Sequence, residues 1–173
     1  MIAEYAQNFG LSMIINHCGV LTGPWQMGKV DQGVVVLWMA KHLFGEELSY
    51  IGYEGSGFQV RDMLHIKDLG DLIELQLMQP EHYHGETFNV GGGIEISTSL
   101  LELTEWCEKI TGKSIPIQRK PEARPGDVPW FITDSTRIQN HCGWKPKRNL
   151  ETILEEIHLW MDSYQDQLRP ILS

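Results

Sequence analysis

The chain has 173 residues, enough for one domain with a substantial core, and 42% of them are hydrophobic, which excludes a disordered segment. The formal net charge of −9 argues against sequence-independent nucleic-acid binding, which needs a surplus of Lys and Arg, but leaves room for a small anion held by a few local arginines. Three widely spaced cysteines (Cys18, Cys107, Cys142) without a C-x-x-C pair predict reduced thiols in a cytoplasmic protein, with no disulfide frame and no zinc site.

Residues 2–9 read as the last turns of a helix with Ile2, Tyr5, Ala6 and Phe9 on one face and Gly10 as its left-handed cap. The opening residues are polar and lack the apolar stretch of a signal peptide. "LSMIINHC" follows as a mostly apolar run, expected of a strand buried on both faces of a parallel sheet. "VLTGPWQMGKVDQGV" is a loop rich in glycine with an indole, a lysine and an aspartate. "QGVVVLWMAKHLF" predicts a helix stopped by Gly45, and its apolar run is far too short to span a bilayer. "LSYIGYEGSGFQVRDMLHI" predicts two strands around Gly55-Ser56-Gly57.

Asp68 is the predicted cap of a helix running to about Met78, with Leu69, Leu72, Ile73 and Leu77 inward. "ETFNVGGG" predicts a short strand leaving through three glycines. Ser99 and Glu102 fit a capping box, with Ser97 as another possible cap, for a helix ending at Gly112. "IPIQRKP" predicts a strand, and Asp134 a short helix stopped by Gly143. Asn149 caps a last helix whose face is Leu150, Ile153, Leu154, Ile157, Trp160, Met161 and Tyr164. Strands and helices alternate without linker or repeat, so the expectation is an α/β fold in a single domain over residues 1–173.

Several residue sets have two readings. Arg61 could offer its donor fork to a phosphate or pair with the adjacent Asp62 on the surface. In "EARPGD" the Pro-Gly turn would fix Arg124 and Asp127, to hold a diphosphate and a sugar hydroxyl, or merely to carry solvated charges. Arg119, Lys120 and Arg124 make a local positive patch in an acidic chain, which favours anion binding. Gly91-Gly92-Gly93 lacks the companions of a phosphate loop and reads as a tight connection. His82 and His84 have no matched third ligand and read as solvated. Lys29 and Asp31 read as helix-start and ligand contacts and not as an acid–base pair. Cys142 and Trp144 read as packing groups.

Taken in order, "QVRDMLHIKDL", "FNVGGG", "ARPGD" and "CGWKP" resemble the C-terminal, substrate-binding part of extended short-chain dehydrogenase/reductases, the NAD-dependent nucleotide-sugar epimerase/dehydratase family. The loop at residues 19–33 resembles most the CDP-paratose 2-epimerase (CDP-tyvelose epimerase) branch. The resemblance implies an NAD(P)-binding Rossmann-like fold without its N-terminal cofactor half. It implies that Arg61 and Arg124 hold the diphosphate of a nucleotide sugar, a CDP-sugar first. Asp127 would bind a ribose hydroxyl, and Trp25 to Gln32 with Gln59 would shape the sugar and base pocket. His17, Cys18 and Gly19 would lie beside the nicotinamide of NAD in a complete enzyme, although His17 stands where the family usually has arginine.

No tyrosine in the chain is followed by lysine four positions on, and there is no G-x-x-G-x-x-G. In the family that tyrosine is the base, so the resemblance implies that this chain has no catalytic residue, binds no NAD alone and is inactive alone. A partner chain carrying the cofactor half, or a homo-oligomer, would complete it. The rival expectation is a noncatalytic module that binds a nucleotide or docks on a partner.

Overall fold

The structure, a computed structural model, describes residues 2–29, 32–122 and 125–172, with Ala3 described by its backbone alone. Helix α1 (Ile2–Phe9) ends at Gly10, which takes the left-handed φ of 64° that the sequence requires of it. Its apolar face is not core: Ile2, Tyr5 and Phe9 are exposed, and the rings of Tyr5 and Phe9 touch each other.

Strand β1 (Ile15–Cys18) pairs in parallel with β5 (Thr87–Val90), from Ile15 opposite Thr87 to Cys18 opposite Val90. The sequence predicts burial on both faces, whereas β1 is only half-buried and His17 is exposed. The physical reason is that, among the described residues, β5 is its only strand neighbour. Asn16 ties the strand to helix α3 (Ile66–Met78) by exchanging amide hydrogen bonds of 2.8 and 3.0 Å with Gln76.

Strand β2 (Val20–Thr22) runs parallel to β4 (Val60–His65), with Thr22 opposite His65. The first residues of β4 also carry antiparallel β6 (Ser97–Ser99) and the two-residue parallel strand β8 (Trp130–Phe131). β3 (Leu48–Ile51) pairs instead with β7 (Ile117–Lys120). The two strands flanking Gly55-Ser56-Gly57 therefore exist as predicted but belong to different sheets. The chain between them is bolted to β7 through the Gly52 N–H, which donates to the Lys120 carbonyl.

The helices follow their local signals more closely. α2 (Val34–Phe44) starts at left-handed Gly33 and stops at left-handed Gly45. α5 (Leu100–Thr111) has the complete Ser99–Glu102 capping box, and α7 (Leu150–Ser163) is capped by the Asn149 side chain. α6 (Thr136–Cys142) is helped at its start by the Asp134 carboxylate, which accepts from the Thr136 N–H. α3 departs from expectation. Its cap is the ring of His65, whose Nδ1 accepts from the Lys67 N–H, while Asp68 lies buried in the first turn. Leu69 and Leu72 face inward, but Ile73 and Leu77 are exposed. The short α4 (Pro80–Tyr83) follows α3, and α8 (Gln165–Leu172), which the sequence pattern did not signal, follows α7 after Tyr164 turns outward.

Apolar residues gather in two cores. The larger joins α2, α5, α7 and α8 with β3, and contains Ile153, Ile157 and Trp160 as the helical spacing predicts. The smaller lies around β5, α3 and α6, with Leu72, Phe88, Ile138 and Trp144. β4 contributes to both, through Met63 and Leu64 on alternate faces.

Candidate functional site

Arg61 and Asp62 are adjacent on β4, so their side chains leave opposite faces of the strand. This disposes of the Arg61–Asp62 surface pair. Asp62 goes inside, where its carboxylate accepts from the Thr133 hydroxyl at 3.1 Å and the Gly93 N–H at 3.2 Å. Arg61 turns to the opposite side and reaches across 66 residues of chain to Asp127, Nη2 to Oδ1 at 2.7 Å. The same nitrogen donates to the Val128 carbonyl at 2.7 Å, and Nη1 donates to the Val60 carbonyl at 2.7 Å.

A third element closes this corner. The segment after β3 carries positive φ at three consecutive residues, Tyr53 (50°), Glu54 (60°) and Gly55 (66°). Left-handed backbone is costly for residues with a Cβ, so the first two are held there by their surroundings. Gly55 is needed because a Cβ on it would lie 2.8 Å from Arg119 Cα. The turn aims the Tyr53 hydroxyl at the Asp127 carbonyl, to which it donates at 2.8 Å. Sequence reading named Arg61 and Asp127 but not their mutual contact, and it missed Tyr53, because left-handed non-glycine residues leave no pattern.

Gln59 precedes β4 and is buried. Its Nε2 donates to the Ile51 carbonyl at 2.6 Å, while its Oε1 has no partner among the described residues. Arg124 lies outside the described residues, as does Asp31. The exposed Phe58, Val128 and Trp130 border Arg61 and Asp127 in sequence or across the strand pair.

The opening loop sits elsewhere. It leaves β2 at Thr22, beside His65, the far end of β4 from Arg61. Trp25 has a left-handed φ of 71° and lays its exposed indole on Trp160 and Tyr164, with ring centroids 5.6 and 5.0 Å away. Gln32 folds back on Lys29 through two backbone hydrogen bonds, and Gln26 is held inside the loop by Thr22 and the Leu21 carbonyl. The structure thus brings Arg61 and Asp127 together and leaves Trp25 at the other end of the strand.

The glycine triplet is a packing device. A Cβ on Gly91 would lie 2.3 Å from Asp62 Oδ2, and one on Gly92 2.0 Å from the Met63 carbonyl oxygen. Gly19 meets the same obstacle, with Thr133 Oγ1 at 2.7 Å. Gly91 and Gly19 make room for the buried Asp62, and Gly92 for the backbone of β4 at Met63. His17 is exposed, the Gly19 N–H donates to the Val90 carbonyl, and burial pushes the Cys18 thiol above its usual pKa.

At the His65 end, Asp68 is buried and takes two bonds from Arg148, from Nη1 at 2.6 Å and from its backbone N–H at 3.2 Å. Glu156 gathers Lys67 at 2.7 Å, Arg148 at 3.6 Å and His65 Nε2 at 3.5 Å. Burial holds the His65 imidazole below its usual pKa, against the opposing pull of Glu156. The His82 ring packs at a tilt against that of His141 and His84 bonds Ser12, and no group of three or more metal-ligating side chains occurs among the described residues. Trp144 is buried, its indole N–H donating to the Asp68 carbonyl, and the Cys142 thiol points to the Ile138 carbonyl. No helix among the described residues is long and apolar enough to cross a membrane.

The alternation of parallel strands and helices is that of the Rossmann-like nucleotide-sugar epimerases and dehydratases. The sequence matches the family described as GDP-mannose 4,6 dehydratase over residues 1–157, and the chain belongs to that family of NAD-dependent epimerases and dehydratases. It is 30% identical over 164 residues to CDP-paratose 2-epimerase of Salmonella typhi, covering 92% of this chain and 48% of that protein. It is 31% identical over 122 residues to UDP-glucose 4-epimerase of Bacillus subtilis (strain 168), covering 68% and 35%. Its structure resembles that of UDP-glucose 4-epimerase from Thermotoga maritima with UDP-glucose, with a TM-score of 0.81, 29% identity, and 95% and 50% of the two chains covered. It also resembles the Thermus thermophilus UDP-glucose 4-epimerase in complex with NAD, with a TM-score of 0.78, 26% identity, and 96% and 50% covered. The chain spans about half the length of the relatives it matches.

Proposed function

We propose that this chain is the substrate-binding portion of an NAD-dependent nucleotide-sugar epimerase of the CDP-paratose 2-epimerase kind, inactive alone. The observation that carries the reading is the Arg61 corner, where a partly exposed guanidinium and a carboxylate from a Pro-Gly turn meet 2.7 Å apart. A guanidinium suits a diphosphate and a carboxylate suits sugar hydroxyls. Arg61 and Arg124 hold the diphosphate in this reading, Asp127 a ribose hydroxyl, and Gln59, Trp25 and Gln32 border the remainder of the nucleotide sugar. Trp25 reaches it only as part of a larger site, since it stands at the other end of β4.

In the complete enzyme NAD would take a hydride from a sugar ring carbon and return it; His17, Cys18 and Gly19 would border the nicotinamide. The residues of this chain bind and orient the sugar nucleotide. None is placed to act as the base, since no tyrosine here has its lysine partner. β1, with one described strand neighbour and a half-buried face, is the edge on which a cofactor-bearing partner chain would add a strand. A second copy of the chain is the alternative occupant, and the reading puts the protein in the cytoplasm.

Calorimetry of the 173-residue chain with CDP and UDP tests this. CDP binding is expected to weaken by about 1.5–3 kcal/mol in Arg61→Ala, the worth of a charge-assisted contact. Equal binding by parent and variant would remove Arg61 from the site. Turnover of a CDP-sugar by the chain alone would overturn its inactivity.

A further inference from the structure

We infer that Asp127 is a gate on the Arg61 fork that makes the site select nucleotides over bare phosphate anions. The inference rests on the proposed role of Arg61 as a phosphate holder. Arg61 has five N–H donors. Nη2 gives its two to Asp127 Oδ1 and the Val128 carbonyl, and Nη1 gives one to the Val60 carbonyl. The half of the fork best suited to a second oxyanion is thus already filled by a carboxylate.

What makes this a gate, and not a fixed pair, is how the turn around Asp127 is anchored. Its backbone is held independently of its carboxylate. The Asp127 carbonyl accepts from the Tyr53 hydroxyl at 2.8 Å, and two residues on the Pro129 carbonyl accepts from the Val60 N–H at 2.9 Å. Tyr53 is itself held in a left-handed turn that is clamped on β7 by the Gly52 N–H to the Lys120 carbonyl and by Gly55 against Arg119. The Asp127 side chain is about a quarter exposed, and its second oxygen takes no bond among the described residues. The carboxylate can therefore swing off Arg61 while its backbone stays in place.

An anion that takes Nη2 must break the Arg61–Asp127 pair together with the Nη2 bond to the Val128 carbonyl, and leave a carboxylate unpaired beside its own negative charge. Inorganic diphosphate has nothing to offer that carboxylate. A nucleoside diphosphate brings ribose hydroxyls, which donate to it as it swings away. Release of the gate and capture of the sugar are then one exchange, and the ligand with both chemical parts is preferred. Tyr53 is a positioning residue in this scheme, since it keeps the carboxylate within reach of both partners.

Calorimetry of the full chain with inorganic diphosphate and with CDP, in parent, Asp127→Asn and Tyr53→Phe, decides the matter. The parent is expected to prefer CDP to inorganic diphosphate by about tenfold or more, a difference of one charge-assisted contact. Asp127→Asn should tighten inorganic diphosphate and weaken CDP, so the preference collapses. Tyr53→Phe should weaken CDP severalfold and leave inorganic diphosphate unmoved. A merely structural Asp127 would weaken both ligands together in Asp127→Asn, and that result, or an unchanged preference, overturns the gate. If CDP binds and Arg61→Ala abolishes it while Asp127→Asn leaves the preference intact, the gate alone falls. If neither ligand binds the parent, the role of Arg61 falls and the gate with it. Urea midpoints of the variants confirm that each is folded.

Discussion

The two ends of β4 carry charged clusters built in opposite ways. At the carboxyl end, Asp68 is fully buried, bound twice by Arg148 and backed by Glu156 and Lys67, so every charge there has found a partner within the fold. At the amino end, Arg61 and Asp127 are each about a quarter exposed and share one contact at the surface. A buried pair repays its lost hydration only while both partners stay, whereas an exposed pair can exchange partners at little cost. The first cluster holds α3 and the loop before α7 in place. The second is, in the proposed reading, the one that changes hands. Sign of charge and proximity are alike at the two ends, and the two arginines are equally exposed; the depth of the carboxylate separates the clusters.

The largest effect expected breaks the buried end. Asp68→Ala removes the buried acceptor of two Arg148 bonds, leaving the Arg148 backbone N–H without its partner, and should cost about 1–3 kcal/mol by urea denaturation. A loss below about 1 kcal/mol would mean that the carboxyl end is no more structural than the surface. The mirror experiment is stability in Arg61→Ala, which should fall by no more than about 1 kcal/mol even as CDP binding weakens. A large loss of stability there would erase the distinction between the ends.

Ser99 faces Val60 across the β4–β6 pair and caps α5, with the Glu102 N–H donating to its hydroxyl at 3.1 Å. Ser99→Ala should cost about 1 kcal/mol, read as a shift in the urea midpoint, without moving CDP affinity. Altered affinity would show that the amino end of β4 senses its neighbouring strand.

The shallowest effect is with pH. Burial depresses the pKa of His65 and of His42, so both are neutral in the fold. The unfolded chain takes up their protons first, below about pH 6.5. The stability they confer is therefore complete above that pH and is lost as pH falls from there toward their folded pKa values. Urea titrations between about pH 8 and 5 should show a plateau and then a decline, less steep in His65→Asn. A profile that rises toward the acid end would contradict the neutral, buried imidazole at the carboxyl end.

What the sequence reveals of this fold is what is local. The capping box at Ser99, the cap at Asn149 and the stripe from Ile153 to Trp160 depend on spacings of three and four residues, and each is found in place. Pairing partners are not local. Nothing in "LSYI" says that it lies beside "IQRK" about seventy residues on, and so the glycine turn at residues 55–57 looks like the centre of a hairpin that does not form. α3 shows the same limit: Asp68 is a good cap residue by type, but Arg148, far along the chain, recruits it inward and leaves His65 to cap. At the site, Arg61 and Asp127 were visible as chemistry and invisible as a pair. Tyr53 was invisible altogether, since its role depends on a backbone conformation that its residue type disfavours.

The order in which the chain visits its two cores has a kinetic consequence. It builds β1 and β2, departs for α2 and β3, returns for β4, α3 and β5, departs again for α5 and β7, returns for α6 and finishes at α7 and α8. Each visit leaves strands whose partners have yet to be reached, β1 waiting for β5 and β3 for β7. Such closures over long stretches of chain slow the search for the native state. They also deny either core an independent existence: a protease cut in the loop after Ile51 would release no self-sufficient piece. The two halves of the molecule are expected to melt as one cooperative unit, seen as a single transition by every spectroscopic probe.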